Sequence, residues 1–123
     1  MIYSVGIDLI QTDRVKKALD RWGNKFANKI LGDEEMDVFR NKINKVQYLC
    51  GRFAAKEAVI KTLGAFLATR VSFTQIQILN DLYGKPYVHL DGDIFERLID
   101  KEIKISITHE RDMAAAIAII TGD

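Results

Sequence analysis

The pattern that most constrains the fold is an unbroken helical pattern over about residues 46–63. Its second half joins strong helix formers to charged residues at i,i+4 spacing. Glu57 and Lys61 share one helical face, and Arg52 and Lys56 form a second pair on an adjacent face. A solvated helix with ion pairs has this pattern. Three cations and one carboxylate would equally suit a ligand that carries phosphate together with a divalent metal.

The rest of the chain alternates between strand and helix patterns, without repeats or linkers. Strands are predicted at 2–10, 73–79, 87–90, 103–107 and 113–120, and helices at 12–22, 24–31, 33–41 and 93–101. Thr12 or Asp13 is expected to cap the first helix, and Gly64 to end the long one. The continuously apolar run at 113–120 predicts a strand buried on both faces. These elements predict an α+β fold with a single domain over residues 1–123.

Composition excludes several classes of function. The net charge is +1, from 18 basic and 17 acidic residues, so no global field points to nucleic acid or membrane as a partner. Cys50 is the only cysteine, which excludes a disulfide framework and a cysteine-based metal site. The chain has no signal-like N-terminus and no run of eighteen apolar residues. We therefore expect a cytoplasmic protein.

The first strand and first helix each carry charged candidates. Alternation places Tyr3, Val5, Ile7 and Leu9 on one strand face, and Ser4, Gly6 and Asp8 on the other. Asp8 thus lies on a face kept open by small neighbours, where it could also serve as a cap or in a salt bridge. The helix has an apolar stripe of Val15, Leu19 and Trp22 and a basic side of Arg14, Lys17 and Arg21. His89, Cys50, Phe53 and Trp22 are assigned to packing.

Five motifs in order carry a family resemblance: Val5–Leu9, Arg14, Arg52–Lys61, Gly84–Pro86 and Ser106–His109. Together they resemble the holo-acyl-carrier-protein synthases, the short bacterial branch of the 4′-phosphopantetheinyl transferases, from Ile2 to about Ile120. The resemblance implies an antiparallel sheet with one long helix packed on it, assembled as a homotrimer with shared active sites. It implies transfer of phosphopantetheine from coenzyme A to a serine of apo acyl carrier protein in fatty-acid biosynthesis, with release of adenosine 3′,5′-bisphosphate.

The resemblance also implies roles for individual residues. Asp8 and Glu57 would hold Mg²⁺, and Lys61 would face the phosphates, so these three are the catalytic candidates. The proton of the attacking serine would leave through a metal-bound water or Glu57. Coenzyme A would be bound by Arg52, Lys61, Gly84, Pro86 and by His109 in its charged form. Arg14, Lys17 and Arg21 would dock the carrier protein.

Each of these candidates also has an ordinary structural interpretation. Arg52 and Lys61 could be surface cations, Gly84 and Pro86 a simple turn, His109 a packed side chain, and the basic side a solvated helix face. Residues 64–70 are bulkier than the Gly-Thr-Gly-like run usual in the family, which leaves the shape of the coenzyme entrance open. Two other classes of function remain. One is a non-catalytic relative that binds a nucleotide or carrier, and the other is an unrelated metal-dependent phosphohydrolase.

Overall fold

The computed structural model describes residues 1–64, 66–67 and 71–123, so part of the loop at 64–72 lies outside the described residues. Its elements are β1 (Ile2–Gln11), α1 (Thr12–Trp22), α2 (Asn24–Ile30), α3 (Asp33–Arg40), α4 (Lys45–Leu63), a 3₁₀ turn (Phe73–Gln75), β2 (Ile76–Asn80), β3 (Pro86–Leu90), α5 (Asp93–Arg97), β4 (Lys101–His109) and β5 (Met113–Gly122). The predicted α+β class is confirmed.

The strands form two antiparallel sheets. The larger sheet has the order β1-β5-β4, so the last strand lies between the first strand and its own sequence neighbour. In this register Asp8 of β1 and Ile107 of β4 both lie opposite Ala116 of β5. The smaller sheet is the hairpin of β2 and β3, in which Asn80 lies opposite Pro86.

Small side chains let α4 lie close against one face of the larger sheet. Ala114, Ala116 and Ala118 of β5 are buried beneath this helix. A Cβ atom added to Gly6 would stand 2.2 Å from the carbonyl oxygen of Ala58, a distance that real contacts do not reach. Glycine at this position of β1 is therefore required for the helix to approach the strand so closely.

The opposite face of the larger sheet is apolar and exposed in a single chain. Val5, Ile7 and Leu9 of β1 are 55%, 64% and 60% exposed, and Ile117 of β5 adjoins them. The prediction of a strand buried on both faces at 113–120 was therefore wrong for the single chain, because only every second residue contacts α4. The face of Asp8, expected to be open, lies towards α4 instead.

Local differences from the predicted elements have simple causes. The segment predicted as a strand from Phe73 begins as a 3₁₀ turn, and the strand starts at Ile76. Helix α5 ends at Arg97, well before the predicted residue 101, and α1 is preceded by Gln11 in extended conformation without a side-chain cap. Trp22 is not packed in the core, since it is 53% exposed.

Candidate active site

One cavity brings together three of the residues predicted as functional. Asp8 from β1, Arg14 from α1 and Glu57 from α4 line a space of about 390 Å³. Apolar side chains, among them Phe26 and Phe53, form its remaining walls. Two carboxylates that are far apart in the sequence therefore meet at one site, together with the Arg14 cation from the first turn of α1. Phe53, predicted to pack, also contacts Phe73 with 5.3 Å between ring centroids.

Lys61 lies at the edge of this site and contacts Asp8. Its Nζ donates hydrogen bonds to Oδ1 of Asp8 at 3.1 Å and to the carbonyl oxygen of Ile7 at 2.8 Å. Lys61 stands one helical turn after Glu57, so the periodicity of α4 brings both side chains to β1. About half of the Lys61 side chain remains exposed, which leaves its ammonium group accessible to a ligand.

The donor set of this site fits a hard divalent cation such as Mg²⁺. This ion favours oxygen ligands, and it is usually bound by one or two carboxylates together with substrate phosphates and water. Asp8 and Glu57 supply two carboxylates to one cavity. Across the described ranges 1–64, 66–67 and 71–123, no group of three or more His, Cys, Asp or Glu side chains could hold a metal ion. A cation between Asp8 and Glu57 would therefore require oxygen atoms from a ligand or water to complete its coordination.

A second and larger cavity contains the predicted coenzyme-binding residues. Its volume is about 1000 Å³, and its lining includes Arg52, Gly84, Pro86 and His109. Gly84 has a positive φ of 84°, which supplies the tight turn between β2 and β3. Four residues taken from three separate sequence motifs thus face one space.

Arg52 is held rigidly at this second cavity. Its Nε donates to the carbonyl oxygen of Ile78 at 3.1 Å, and its Nη2 donates to Oδ1 of Asn80. The guanidinium carbon lies 4.6 Å from the ring centroid of Tyr48. Burial raises the pKa of the Tyr48 hydroxyl, although the Arg52 charge opposes this effect. Arg52 is therefore a buried, anchored cation and not the exposed helix arginine that the sequence also allowed.

His109 is oriented by a residue that the sequence did not single out. The side-chain amide nitrogen of Gln47 lies 2.8 Å from Nδ1 of His109. When the amide donates this hydrogen bond, Nδ1 accepts and the ring proton sits on Nε2. Gln47 is on α4, and both residues line the larger cavity. A polar residue one and a half turns before Arg52 was the available signal, but polar residues at helix starts are too common to assign a role.

The two cavities are separated within one chain because of helix geometry. Arg52 and Glu57 are five positions apart on α4. Each residue rotates an α-helix by about 100°, so these side chains point about 140° apart. None of the residues that the structure describes lines both cavities. One chain therefore presents the paired carboxylates and the anchored arginine on different sides of the same helix.

Lys56 does not belong to either cavity. It is fully buried, and its Nζ donates to Oε1 of Glu35, which is also fully buried. It donates further to the carbonyl oxygens of Ile30 and, at 3.0 Å, Phe73. Burial lowers the pKa of Lys56, a shift that the Glu35 charge opposes. The expectation that Arg52 and Lys56 act as a pair of phosphate-binding cations is therefore wrong for Lys56, because all three of its donors are used inside the protein.

The predicted carrier-docking residues lie on α1 in three different environments. Arg14 is exposed and reaches the cavity of Asp8 and Glu57. Lys17 forms an exposed ion pair with Asp13 at 2.9 Å. The guanidinium group of Arg21 lies 4.9 Å from the ring centroid of Trp22. His89, which we assigned to packing, is also exposed and contacts Asp91 at 3.1 Å.

Comparisons with known proteins identify the family of this chain. The family model for the 4′-phosphopantetheinyl transferase superfamily matches residues 4–118. A holo-[acyl-carrier-protein] synthase of Maridesulfovibrio salexigens is 42% identical over 123 residues, covering 98% of each chain. The crystal structure of the Neisseria meningitidis synthase has a TM-score of 0.89 at 32% identity, covering 98% of this chain and 99% of that one. The Bacillus anthracis synthase, solved in complex with CoA (3′,5′-ADP), has a TM-score of 0.82 at 32% identity, covering 100% and 99%.

The chain belongs to the 4′-phosphopantetheinyl transferase superfamily. Because full-length similarity extends to several holo-[acyl-carrier-protein] synthases, it is an enzyme of that kind, a phosphopantetheinyl transferase. Among the helices of the described residues, none is long and apolar enough to cross a membrane.

Proposed function

We propose that this enzyme transfers 4′-phosphopantetheine from coenzyme A to a serine of apo acyl carrier protein, depends on Mg²⁺ and releases adenosine 3′,5′-bisphosphate. The observation that carries this proposal is the meeting of Asp8 and Glu57 in one cavity, with Lys61 beside Asp8. This set of groups suits a diphosphate, because the carboxylates can hold a cation against it while the ammonium group contacts its oxygens.

The protein has little covalent chemistry to perform in such a reaction. The carrier's serine oxygen forms a bond to the phosphorus next to the pantetheine arm, and the bond from that phosphorus to the leaving bisphosphate breaks. The serine O–H bond also breaks, and its proton passes to water or to Glu57. Bound Mg²⁺ would offset the negative charge that develops on the diphosphate. Lys61 donates a hydrogen bond to the phosphate oxygens, and Asp8 and Glu57 fix the geometry. Positioning and charge stabilisation account for most of phosphoryl-transfer catalysis.

The mass of the carrier protein tests this function directly. Incubation with coenzyme A, Mg²⁺ and apo carrier should add the mass of one phosphopantetheinyl group and yield an equal amount of adenosine 3′,5′-bisphosphate. Chelation of the metal and the substitution Glu57→Gln should each abolish the gain. Glu96→Gln is the matched control, because Glu96 is an exposed carboxylate on α5. A carrier of unchanged mass, or free phosphate as the product, would contradict the proposal.

We infer further that the active site is shared between neighbouring chains of a homotrimer. Two observations support this inference. The exposed apolar face of Val5, Ile7 and Leu9 gives a chain a surface to bury against another copy. Glu57, which lines one cavity with Asp8, and Arg52 lie on different sides of α4, so one ligand contacts both more easily across a boundary between chains. In this arrangement Asp8 and Glu57 of one chain meet Arg52, Gly84, Pro86 and His109 of the next.

Mixing two inactive variants tests the shared site. Asp8→Asn and Arg52→Met chains should each be inactive alone. When they are unfolded and refolded together at equal amounts, about a quarter of the sites combine an intact Asp8 with an intact Arg52, so activity should return to about that fraction. A monomer by light scattering, or mixed trimers without recovered activity, would refute the inference. Refolding of each variant alone is the control.

The basic side of α1 is proposed to dock the carrier protein. Arg14 is the strongest candidate of the three, because it is exposed and also reaches the cavity of Asp8 and Glu57. Arg14→Glu should raise KM for an acidic carrier strongly and KM for coenzyme A little, and the effect should weaken with added salt. Lys17→Glu should have a smaller effect, because Lys17 is already paired with Asp13. Equal changes in both KM values would contradict docking at Arg14.

A further inference from the structure

Asn80, at the end of β2, joins two elements of the larger cavity through one side-chain amide. Its Oδ1 accepts a hydrogen bond from Nη2 of Arg52 on α4. Its Nδ2 donates to the carbonyl oxygen of Gly84 at 2.9 Å, within the turn between β2 and β3. All three residues line the cavity. The Asn80 amide therefore connects Arg52 of α4 to the turn between β2 and β3.

This connection completes the immobilisation of Arg52. The carbonyl oxygen of Ile78 fixes Nε, and the ring of Tyr48 lies against the guanidinium face. Asn80 then fixes Nη2, so the plane of the guanidinium group is held at three points. Within the described residues, no hydrogen bond uses Nη1 of Arg52, so this nitrogen is available to a ligand. A guanidinium group held in one orientation binds phosphate oxygens with less loss of entropy.

The turn is ordered from within as well as by Asn80. Oδ1 of Asp81 accepts hydrogen bonds from the backbone N–H groups of Tyr83 and Lys85, each at 2.9 Å. Gly84 adopts its positive φ in this turn, and Pro86 follows as the first residue of β3. An amide is the side chain that suits position 80, because it offers an acceptor to the cation and a donor to the carbonyl on one planar group.

We propose that Asn80 is a positioning residue for coenzyme binding, which holds Arg52 and the Gly84–Pro86 turn in one arrangement across the larger cavity. The proposal rests on the proposed function, since it takes coenzyme A as the ligand of this cavity. Asn80 acts through Arg52 and Gly84, and it has no part in the transfer step. Its removal should weaken coenzyme binding without slowing transfer from the bound complex.

The test separates binding from turnover. Asn80→Ala should raise KM for coenzyme A about tenfold, equivalent to about 1.4 kcal/mol, while kcat and KM for the carrier stay within about twofold. Asn80→Asp, of the same size, should bind as poorly, because a carboxylate neutralises Arg52 and repels the carbonyl oxygen of Gly84. Asn28→Ala is the matched control, an exposed asparagine on α2 outside both cavities.

A double substitution decides whether Asn80 acts through Arg52. In an Arg52→Met background, Asn80→Ala should change the Kd for coenzyme A, measured by calorimetry, by less than about twofold, since coupled residues are not additive. Full additivity, an unchanged KM in Asn80→Ala, or wild-type binding by Asn80→Asp would each overturn the proposal. An Asn80→Ala variant in which kcat, both KM values and Tm all change together would also overturn the proposal, because that pattern indicates a purely structural role. If the wild-type protein transfers nothing, the proposed function fails, and calorimetry with coenzyme A alone still tests Asn80.

Discussion

The buried ion pair between Glu35 and Lys56 gives the most quantitative prediction about stability. Both side chains are 0% exposed. Lys56 also bonds the carbonyl oxygens of Ile30 and Phe73, and the Glu35 carboxylate accepts from the backbone N–H group of Ile78 at 2.8 Å. The substitution Lys56→Met leaves the buried Glu35 carboxylate without its ion-pair partner and removes one hydrogen-bond donor from each of two carbonyl oxygens. Breaking such a pair costs about 3–5 kcal/mol.

This loss is large relative to the stability of a domain. Unfolding free energies are about 5–15 kcal/mol, so Lys56→Met should remove about a fifth of the stability or more and lower Tm by roughly 10–20 °C. Urea unfolding at a fixed protein concentration should show a lower midpoint with an unchanged m value. Lys25→Met, at an exposed lysine of α2, is the matched control and should stay within about 0.5 kcal/mol.

A double-substitution cycle tests whether the pair is the cause. Glu35→Gln alone leaves the Lys56 ammonium buried without its counter-charge. Together with Lys56→Met it leaves neither charge of the pair, so the double variant should be more stable than the sum of the single losses predicts, by about 1–3 kcal/mol. A cost below about 1 kcal/mol for Lys56→Met, or additive losses, would refute the reasoning.

The pH dependence of Glu35→Gln follows from the same pair. Burial lowers the pKa of Lys56 below its usual 10.5, and the loss of Glu35 removes the group that opposes this shift. Between the lowered pKa and 10.5 the unfolded chain binds more protons than the folded protein, so stability rises with pH. The destabilisation of Glu35→Gln relative to wild type should therefore shrink as pH increases towards 10.5. A constant difference across this range would contradict the assignment.

Three further outcomes can be checked with simple variants. Gly6→Ala should lower the free energy of unfolding by about 1–3 kcal/mol and reduce transfer severely, because the added Cβ would collide with the backbone of Ala58. A variant with the urea midpoint and the activity of wild type would contradict this. Burial raises the pKa of the Cys50 thiol, so at about pH 8 iodoacetamide should label this residue only in the unfolded protein. Rapid labelling of the folded protein, detected by mass spectrometry, would refute the burial of Cys50. Gln47→Ala frees the ring of His109 and should raise KM for coenzyme A several-fold with little change in kcat.

Local patterns in the sequence predicted most of the elements and the face on which each candidate side chain lies. Strand alternation defines the face of Asp8, and helical periodicity places Glu57 and Lys61 on one face of α4. The pairing of Asp8 with Glu57 was implied by the family resemblance, because no local pattern joins β1 to α4. In the structure, Asp8, Arg14 and Glu57 line one cavity.

The remaining features depend on contacts between distant segments. Lys56 has the same spacing from Arg52 as Lys61 has from Glu57, and only the position of Glu35 on α3 shows that it is a buried structural cation. Asn80 falls between the strands predicted at 73–79 and 87–90, and its bond to Arg52 depends on how the hairpin packs on α4. The exposure of Trp22 depends on which elements cover α1, which periodicity alone does not define.

The alanines of β5 have a consequence for how this enzyme can evolve. Strand β5 lies beside the strand that carries Asp8, and only the methyl groups of Ala114, Ala116 and Ala118 are buried on its face towards the helix that carries Glu57. A valine at one of these positions would push α4 away from the sheet and would widen the proposed cation site between Asp8 and Glu57. Residues that never touch a substrate would thus influence which ions fit the proposed site, and selection on metal use would act on them.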